Sequence, residues 1–172
     1  DKAKITYELI PYEVDENDLS ATHVADQLGE NVAQVFKTLV LHGDKSGYFV
    51  CDHSRRRRGR SEKARIKLSG NKSCEMIPVK EYLPLTGYIR GGCSPIGMKK
   101  HFPTYIHHTA GQFDHIYVSA GQRGLQIRIA PEDLIREARA EVADVIRENE
   151  SILYIETLLR YFQYVHKDRV FE

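Results

Sequence analysis

Val35-Phe36-Lys37-Thr38-Leu39-Val40-Leu41 and Tyr48-Phe49-Val50-Cys51 are two apolar segments separated by the turn Gly43-Asp44-Lys45-Ser46-Gly47. Apolar and β-branched runs of this length form strands, and a polar turn with a glycine at each end joins two strands into a hairpin. The stretch therefore predicts a β-hairpin whose first strand lies inside a sheet. The fold class follows from what surrounds this hairpin.

Strands are also predicted on both sides of the hairpin. They span residues 5–12, 104–107, 115–119 and 125–129. The last is regular, since Leu125, Ile127 and Ile129 point one way while Gln126 and Arg128 point the other. These short strands predict a mostly antiparallel sheet.

Helices are predicted before and after the hairpin. Ser20 is a candidate N-cap and Gly29 a stop for a first helix. Residues 62–68 form a short second helix that ends at Gly70. Together with the strands, these helices indicate one α+β domain.

A stronger helix is predicted to begin at Pro131, because proline and acidic residues favour the first helical turn. Its predicted buried stripe consists of Leu134, Ala138, Val142 and Val145. A further helical pattern runs over residues 152–162.

The composition is that of an ordinary globular protein. The chain has 172 residues, of which 41% are hydrophobic and 28% charged, and this length fits one domain. It contains no apolar run of roughly 20 residues, which a transmembrane helix needs, so no membrane association is expected. Cys51, Cys74 and Cys93 are widely spaced and form no C-x-x-C, which favours free thiols and a cytoplasmic protein.

The sharpest local motif is Gly91-Gly92-Cys93-Ser94-Pro95-Ile96-Gly97, which Lys99 and Lys100 closely follow. Backbone N–H groups are accessible in a glycine-rich loop, so the loop can bind an anion or a carbonyl oxygen. Clusters of glycine and proline are also common in tight connections that bind nothing. Both interpretations remain open from the residues alone.

Lys37 and Ser119 are two further candidates. Lys37 interrupts an apolar strand, so it lies either on a solvated face or in a cavity where it binds an anion. Ser119 ends a strand, where a hydroxyl either touches a ligand or caps a turn. The chain contains no G-x-S-x-G, no H-E-x-x-H and no Cys/His spacing for zinc, so neither a serine-hydrolase elbow nor a metal site is predicted.

Four motifs occur together in the order and spacing of a known family. They are Phe36-Lys37-Thr38-Leu39, Thr86-Gly87-Tyr88-Ile89-Arg90-Gly91-Gly92-Cys93-Ser94-Pro95-Ile96-Gly97, Phe102-Pro103-Thr104 and Tyr117-Val118-Ser119-Ala120-Gly121-Gln122-Arg123-Gly124-Leu125. The chain thus resembles the YbaK/EbsC proteins, which are relatives of the editing domain inserted in bacterial prolyl-tRNA synthetases. The resemblance covers about residues 5–143. It implies an editing domain over residues 1–149 and a C-terminal helical extension over residues 150–172.

The resemblance implies a barrel-like mixed sheet flanked by helices, with the site in a cleft over the sheet. It implies removal of cysteine from tRNA specific for proline, without metal or cofactor. The substrate's own thiol would attack the ester carbonyl and leave as a thiolactone. Prolyl-tRNA synthetase is a candidate partner. Alanine is the alternative amino acid, since related alanine editors share the lysine and the glycine loop, and a silent tRNA-binding module is a further alternative.

The resemblance also implies roles in the substrate site for individual residues. Lys37 matches the family's essential lysine, Gly91 and Ser119 match pocket residues around the aminoacyl ester, and Tyr12 matches an aromatic residue near the terminal nucleotide. The remaining predicted substrate-binding residues are Gly92, Ser94, Pro95, Gly97 and Gln126. Lys37 and the loop 91–97 are expected to face one cavity.

Three positions depart from the family pattern or vary within it. Gln126 stands where some relatives carry aspartate, and Ser20 where some carry an aromatic residue. Cys93 lies at a variable position, so no catalytic thiol is predicted.

Residues 52–65 are the largest departure. Seven basic residues and one acid lie between Arg55 and Arg65, so the rest of the chain carries −5 although the net charge is +1. Relatives instead continue an apolar strand here and then enter a helix through an acidic turn. Codons that can encode residues 51–64, read one nucleotide later, give Val-Ile-Ile-Pro-Gly-Asp-Asp-Glu-Val-Asp-Leu-Lys-Lys. The segment therefore suggests a pair of compensating frameshifts.

Overall fold

The predicted hairpin is present in the structure, which is a computed structural model that describes residues 4–54, 61–146 and 158–159. Strand β2 (Phe36–Gly43) pairs antiparallel with β3 (Gly47–Ser54). The buried Asn71 side chain holds the turn, because its Oδ1 accepts hydrogen bonds from the N–H groups of Lys45 and Ser46 at 2.9 and 2.8 Å. A Cβ on Gly43 would lie 2.1 Å from the Asn71 side chain, so glycine is required there.

The strands in the described part of the chain form two sheets. The five-stranded sheet has the order β4-β2-β3-β5-β8, and the three-stranded sheet has the order β1-β7-β6. The remaining strands are β1 (Tyr7–Pro11), β4 (Cys74–Met76), β5 (Thr104–His107), β6 (Ile116–Ser119), β7 (Leu125–Ile129) and β8 (Ala140–Ala143). Strand β5 runs parallel to both β3 and β8, and the other ladders are antiparallel. The predicted mostly antiparallel, mixed sheet is confirmed in this divided form.

The two sheets touch but do not close into a barrel within the described ranges. An isolated parallel bridge between Val35 and Tyr117 connects β2 to β6. Phe36, Ile106 and Val118 belong to one buried cluster that spans both sheets. The expected barrel-like sheet is therefore corrected: the described strands form two sheets that share a core and are joined by this bridge.

Four helices flank the sheets within residues 4–146, apart from the undescribed residues 55–60, and short 3₁₀ turns lie between them. The helices are α1 (Ala21–Leu28), α2 (Ser61–Ser69), α3 (Tyr82–Thr86) and α4 (Pro131–Ala138). The predicted caps of α1 are confirmed, since Ser20 Oγ accepts a hydrogen bond from the His23 N–H at 3.2 Å and Gly29 adopts a φ of 68°. Helix α2 ends before Gly70, as predicted.

The predicted extent of the helix after Pro131 is wrong. Arg139 takes a φ of 48°, and the chain leaves the helix to form β8 beside β5. Val142 is consequently 51% exposed, whereas Val145 is buried outside the helix. Helical spacing did not reveal this change, because pairing with a parallel strand is a tertiary effect. Most of the pattern over residues 152–162 lies outside the described residues, apart from Leu158 and Leu159, which are helical and exposed.

A second buried cluster holds the glycine-rich loop against the five-stranded sheet. Val40 and Val50 from the hairpin pack with Tyr82, Cys93 and Phe102. The Val40 N–H also donates to the Tyr82 hydroxyl at 3.4 Å. The loop is thereby fixed beside β2, at the edge where the two sheets separate.

No helix in the described part of the chain is long and apolar enough to cross a membrane.

Candidate active site

A cleft opens beside β2 where the two sheets separate beyond the Val35–Tyr117 bridge. The space between its walls, counted together with the open solvent at its mouth, is about 740 Å³. Among the described residues, β4 pairs with β2 only over residues 41–43. The beginning of β2 is therefore left open, and its edge lines the cleft. Five predicted site residues lie on its walls, namely Tyr12, Lys37, Gly91, Ser119 and Gln126.

Lys37 and Gly91 line the same cleft, although they come from different elements. Successive residues of a strand point to opposite faces, so Lys37 and Thr38 approach the cleft from the two sides of β2. Lys37 is half-buried and lies opposite His53 in the hairpin. Its charge is one of the smaller causes, after burial, that lower the pKa of His53 to about 4. The cleft is therefore lined both by this cation and by the first glycine of the loop.

Ser119 and Gln126 form the polar floor of the cleft. They are directly opposite each other in the β6–β7 ladder and are 8% and 5% exposed. Ser119 Oγ and Gln126 Oε1 make no hydrogen bond within the described structure. Gln126 was predicted to point away from Leu125, Ile127 and Ile129, and it does so, but into the cleft and not into solvent. Buried polar atoms are nearly always paired, so this floor is suited to a polar ligand.

Tyr12 and Gly91 shape the mouth of the cleft. Tyr12 follows β1, and its N–H donates to the Gly124 carbonyl at 2.9 Å. Gly91 has a φ of 87°, and a Cβ there would lie 3.1 Å from Arg123 Nε. The Arg123 Nε–H donates to the Arg90 carbonyl at 3.0 Å, and its Nη1 is 2.7 Å from a Glu16 carboxylate oxygen. Arg123 thus joins the three loops that surround the mouth, a contact that the sequence did not reveal.

The other predicted loop residues, Gly92, Ser94, Pro95 and Gly97, are not among the residues that line the described cleft. Ser94 and Pro95 are buried, and Ser94 Oγ accepts from the Ile96 N–H at 3.3 Å. A Cβ on Gly92 would lie 3.0 Å from Gln122 Cα, and one on Gly97 would lie 2.8 Å from the Tyr88 hydroxyl. In this structure these residues give the loop its shape. Their role in substrate binding stays a prediction.

Asp52 is a fully buried carboxyl group directly behind the cleft wall, and the sequence analysis did not assign it to the site. The hydroxyl of Thr38, which lines the cleft, donates to Asp52 Oδ1 at 2.5 Å. Burial raises the pKa of Asp52 to about 7, and the Thr38 hydrogen bond opposes this change. An aspartate within an apolar strand was the signal that could have identified it.

Cys93 lines the cleft, but its thiol is poorly suited to act as a nucleophile. Burial, and to a lesser extent the Asp52 charge, raises the pKa of Cys93 to about 12. The reactive form of cysteine is the thiolate, which is scarce near neutral pH when the pKa is this high. The cleft itself therefore offers positioning groups and charges.

Segment 52–65 combines buried polar groups with residues outside the described structure. Arg65 is buried and donates from Nη2 to His53 Nε2 at 2.8 Å, while residues 55–60 lie outside the described ranges. The hypothesis of compensating frameshifts stays a prediction.

His107, His108 and Asp144 could offer metal-binding atoms within 4.8 Å of one another. However, His107 Nδ1 accepts a hydrogen bond from the Val145 N–H at 3.2 Å, so in the neutral ring the proton is on Nε2. His108 Nε2 lies 2.9 Å from Asp144 Oδ1. His107 Nδ1 and His108 Nε2 thus each have a partner within the protein.

The sequence model of the aminoacyl-tRNA editing domain family matches residues 15–137, which include nearly all of the cleft. The chain belongs to this family. This editing domain is 44% identical over 145 residues to an Enterococcus faecalis protein named "Putative Cys-tRNA(Pro)/Cys-tRNA(Cys) deacylase EbsC". The match covers 83% of this chain and 86% of the relative.

Solved structures support the fold of the editing domain. One, described as "a putative trans-editing enzyme for prolyl tRNA synthetase", has a TM-score of 0.72 and 24% identity over 83% of this chain and 87% of its own. Another, a scaffold protein used to present grafted linear epitopes, has a TM-score of 0.74 and 21% identity over 83% and 88% of the two chains. At these identities the likeness shows the architecture.

Proposed function

We propose that this editing domain removes the amino acid from mischarged tRNA in trans, and that its preferred substrate is cysteine esterified to tRNA specific for proline. The observation that carries the proposal is the polar floor, where Ser119 Oγ and Gln126 Oε1 are buried in an open cleft without partners in the described structure. The family and the name of the 44% identical relative support the class of substrate.

The charges on the cleft walls suit the end of an acylated tRNA. Lys37 and Arg90 line the cleft and would attract the phosphates or the carbonyl oxygen of the ester. The N–H groups of the loop at Gly91 would stabilise the negative charge that develops on that oxygen. Both contacts act by placing and polarising the ester, and they need no cofactor.

The attacking group is proposed to belong to the substrate. The cysteine sulfur forms a bond to its own carbonyl carbon, the ester C–O bond breaks, and the ribose hydroxyl leaves with the proton. The product would be a cysteine thiolactone. The high pKa of Cys93, which is the described cysteine on the cleft wall, supports a reaction without a protein nucleophile. Positioning alone can supply a large part of such a rate enhancement.

A deacylation panel tests this proposal. The full chain is incubated with Cys-, Ala- and Pro-tRNA(Pro), and the released products are identified. We expect release from Cys-tRNA(Pro) in preference to the other two, with thiolactone as the first product. Preferential release of alanine would identify an alanine editor that uses water, and binding without release would identify a silent tRNA-binding module.

The partners follow from the same proposal. The substrate would be tRNA specific for proline, and prolyl-tRNA synthetase is the proposed protein partner. A pull-down of the synthetase by the full chain, with and without tRNA, would test the second association.

A further inference from the structure

The polar floor of the cleft contains one group that can only accept a hydrogen bond. An amide oxygen has lone pairs and no proton, so Gln126 Oε1 needs a donor from the ligand, whereas the Ser119 hydroxyl can donate or accept. The two side chains are neighbours across the β6–β7 ladder, so a single ligand group can contact both. In the orientation that the Gln126 amide takes in this structure, a ligand on the floor pairs with Oε1 by presenting a donor.

Few groups of an aminoacyl-tRNA can act as that donor. The ester carbonyl and the phosphates only accept, so they cannot pair with Gln126 Oε1. The remaining donors near the ester are the α-ammonium group, a ribose hydroxyl and, in cysteine, a weakly donating thiol. A peptide α-amino group has a pKa of about 7.7–8.0, and an α-amino group in its protonated form is a cation with three N–H donors.

Two acidic side chains on the cleft lining favour the cation among these donors, while Lys37 and Arg90 on the same lining suit the phosphates. Asp15 and Asp18 line the cleft together with the polar floor. Each carboxylate is oriented by a backbone N–H, since Oδ1 of Asp15 accepts from Asn17 at 2.9 Å and Oδ1 of Asp18 accepts from Ser20 at 3.0 Å. Two oriented anions attract an ammonium group but give no such preference to a neutral hydroxyl or thiol.

We propose that the cleft recognises the free α-ammonium group of the aminoacyl ester through Gln126 and Ser119, with Asp15 and Asp18 supplying the complementary charge. This inference rests on the proposed function and extends it to a rule for substrates. Esters with a blocked amine, such as peptidyl-tRNA or N-acylated aminoacyl-tRNA, are rejected, because an amide nitrogen carries no charge and has only one N–H. The protein would thereby spare tRNA that carries a growing chain.

The test compares Cys-tRNA with N-acetyl-Cys-tRNA as substrates of the full chain. We expect acetylation to lower kcat/KM by at least tenfold. Gln126→Leu should slow cleavage of Cys-tRNA, and the penalty for acetylation should shrink toward onefold in this variant. Gln112→Leu makes the same change at an exposed position outside the cleft and should keep the full penalty. The double variant Asp15→Asn/Asp18→Asn keeps both Oδ1 acceptors but removes both charges. It should reduce the penalty for acetylation only in part.

The outcomes separate this inference from the proposed function. Equal cleavage of Cys-tRNA and N-acetyl-Cys-tRNA would overturn the inference while the deacylase activity stands. A second outcome would also overturn the inference. If the protein cleaves N-acetyl-Cys-tRNA but rejects an ester on a 2′-deoxyadenosine end, the group on the polar floor is a ribose hydroxyl. Failure to cleave any unblocked aminoacyl-tRNA would overturn both.

Discussion

Lys37 is the residue whose charge the proposed mechanism needs most. It lines the cleft from β2, where its neighbours Phe36 and Leu39 are buried in the core. A half-buried lysine at a cleft wall contributes little packing but can contribute charge-assisted hydrogen bonds. Its importance is therefore expected in turnover and not in the stability of the fold.

Lys37→Met should abolish deacylation as completely as Lys37→Ala, because methionine keeps the length but not the charge. Loss of such a contact in a sheltered site costs about 2–4 kcal/mol of transition-state stabilisation, a rate loss of roughly a hundredfold or more. Lys37→Arg keeps the charge with another shape and should rescue activity in part. Single-turnover rates, with circular dichroism to confirm folding, measure this. Turnover by the methionine variant near that of the unaltered protein would show that Lys37 is a structural residue.

Asp52 predicts a dependence of stability on pH. Its pKa is 3.8 in an exposed carboxyl group and about 7 in the fold, so the folded state binds this proton more tightly than the unfolded state. The free energy of unfolding therefore loses an Asp52 contribution as pH rises from about 4 to 7. At about 1.4 kcal/mol per pKa unit, the loss is up to roughly 4 kcal/mol.

Asp52→Asn removes this loss and keeps an acceptor for the Thr38 hydroxyl. The variant should gain stability relative to the unaltered protein as pH is raised from 5 to 8, measured by urea unfolding. His53 has a lowered pKa and acts in the opposite direction below pH 6.5, but it is present in both proteins and cancels in the comparison. A stability difference that is the same at both pH values would contradict the burial of an ionisable carboxyl group.

At the scale of elements, the cleft depends on loops that Arg123 joins. Its guanidinium contacts the Arg90 carbonyl and the Glu16 carboxylate, and it packs against Gly91. Lysine cannot make both contacts in the same geometry, because it lacks the planar, forked donor group. The position of Gly91 should therefore depend on arginine at this site.

Arg123→Lys should reduce kcat/KM for deacylation by roughly ten- to a hundredfold, as expected for a small displacement of positioning groups. Glu16→Gln should have a smaller effect that fades at high salt, because this ion pair is exposed. Arg128→Lys is a matched control, since Arg128 forms a similar pair with Glu8 outside the cleft. Equal rates for all three variants and the unaltered protein would show that Arg123 does not position the site.

The elements that local sequence signals specify were predictable. The hairpin at Gly43–Gly47, the caps at Ser20 and Gly29 and the strand Leu125–Ile129 all follow from residues close in sequence, and the structure confirms them. Strand β8 was missed because its pairing with β5 is long-range. Likewise, the cross-strand neighbours Ser119 and Gln126 could be named separately, but only the register shows that they form one floor.

For the whole molecule, nearly all of the cleft lies within the segment that matches the editing family. Its lining residues fall between Tyr12 and Gln126, and Val145 and Ile146 are the last described residues of the compact core. The proposed division into a domain over residues 1–149 and an extension over residues 150–172 has a direct consequence for truncation.

A chain of residues 1–149 should fold and keep the turnover of the full chain. A chain that ends at residue 138 should be strongly destabilised, because it loses β8 and the buried Val145 and Ile146. Burying each such side chain contributes about 1.5–3 kcal/mol. Thermal unfolding and deacylation rates of the two truncated chains measure this. Loss of activity in the longer one, with folding intact, would assign the extension a role in catalysis or tRNA binding.

The proposed reaction needs neither a protein thiol nor a metal ion. Single-turnover release of cysteine from Cys-tRNA(Pro) should therefore be measured for the full chain and for its Cys93→Ser variant, both in excess chelator. We expect similar, strongly accelerated release by the two proteins. Release no faster than in buffer alone, or loss of release in the folded serine variant, would contradict it.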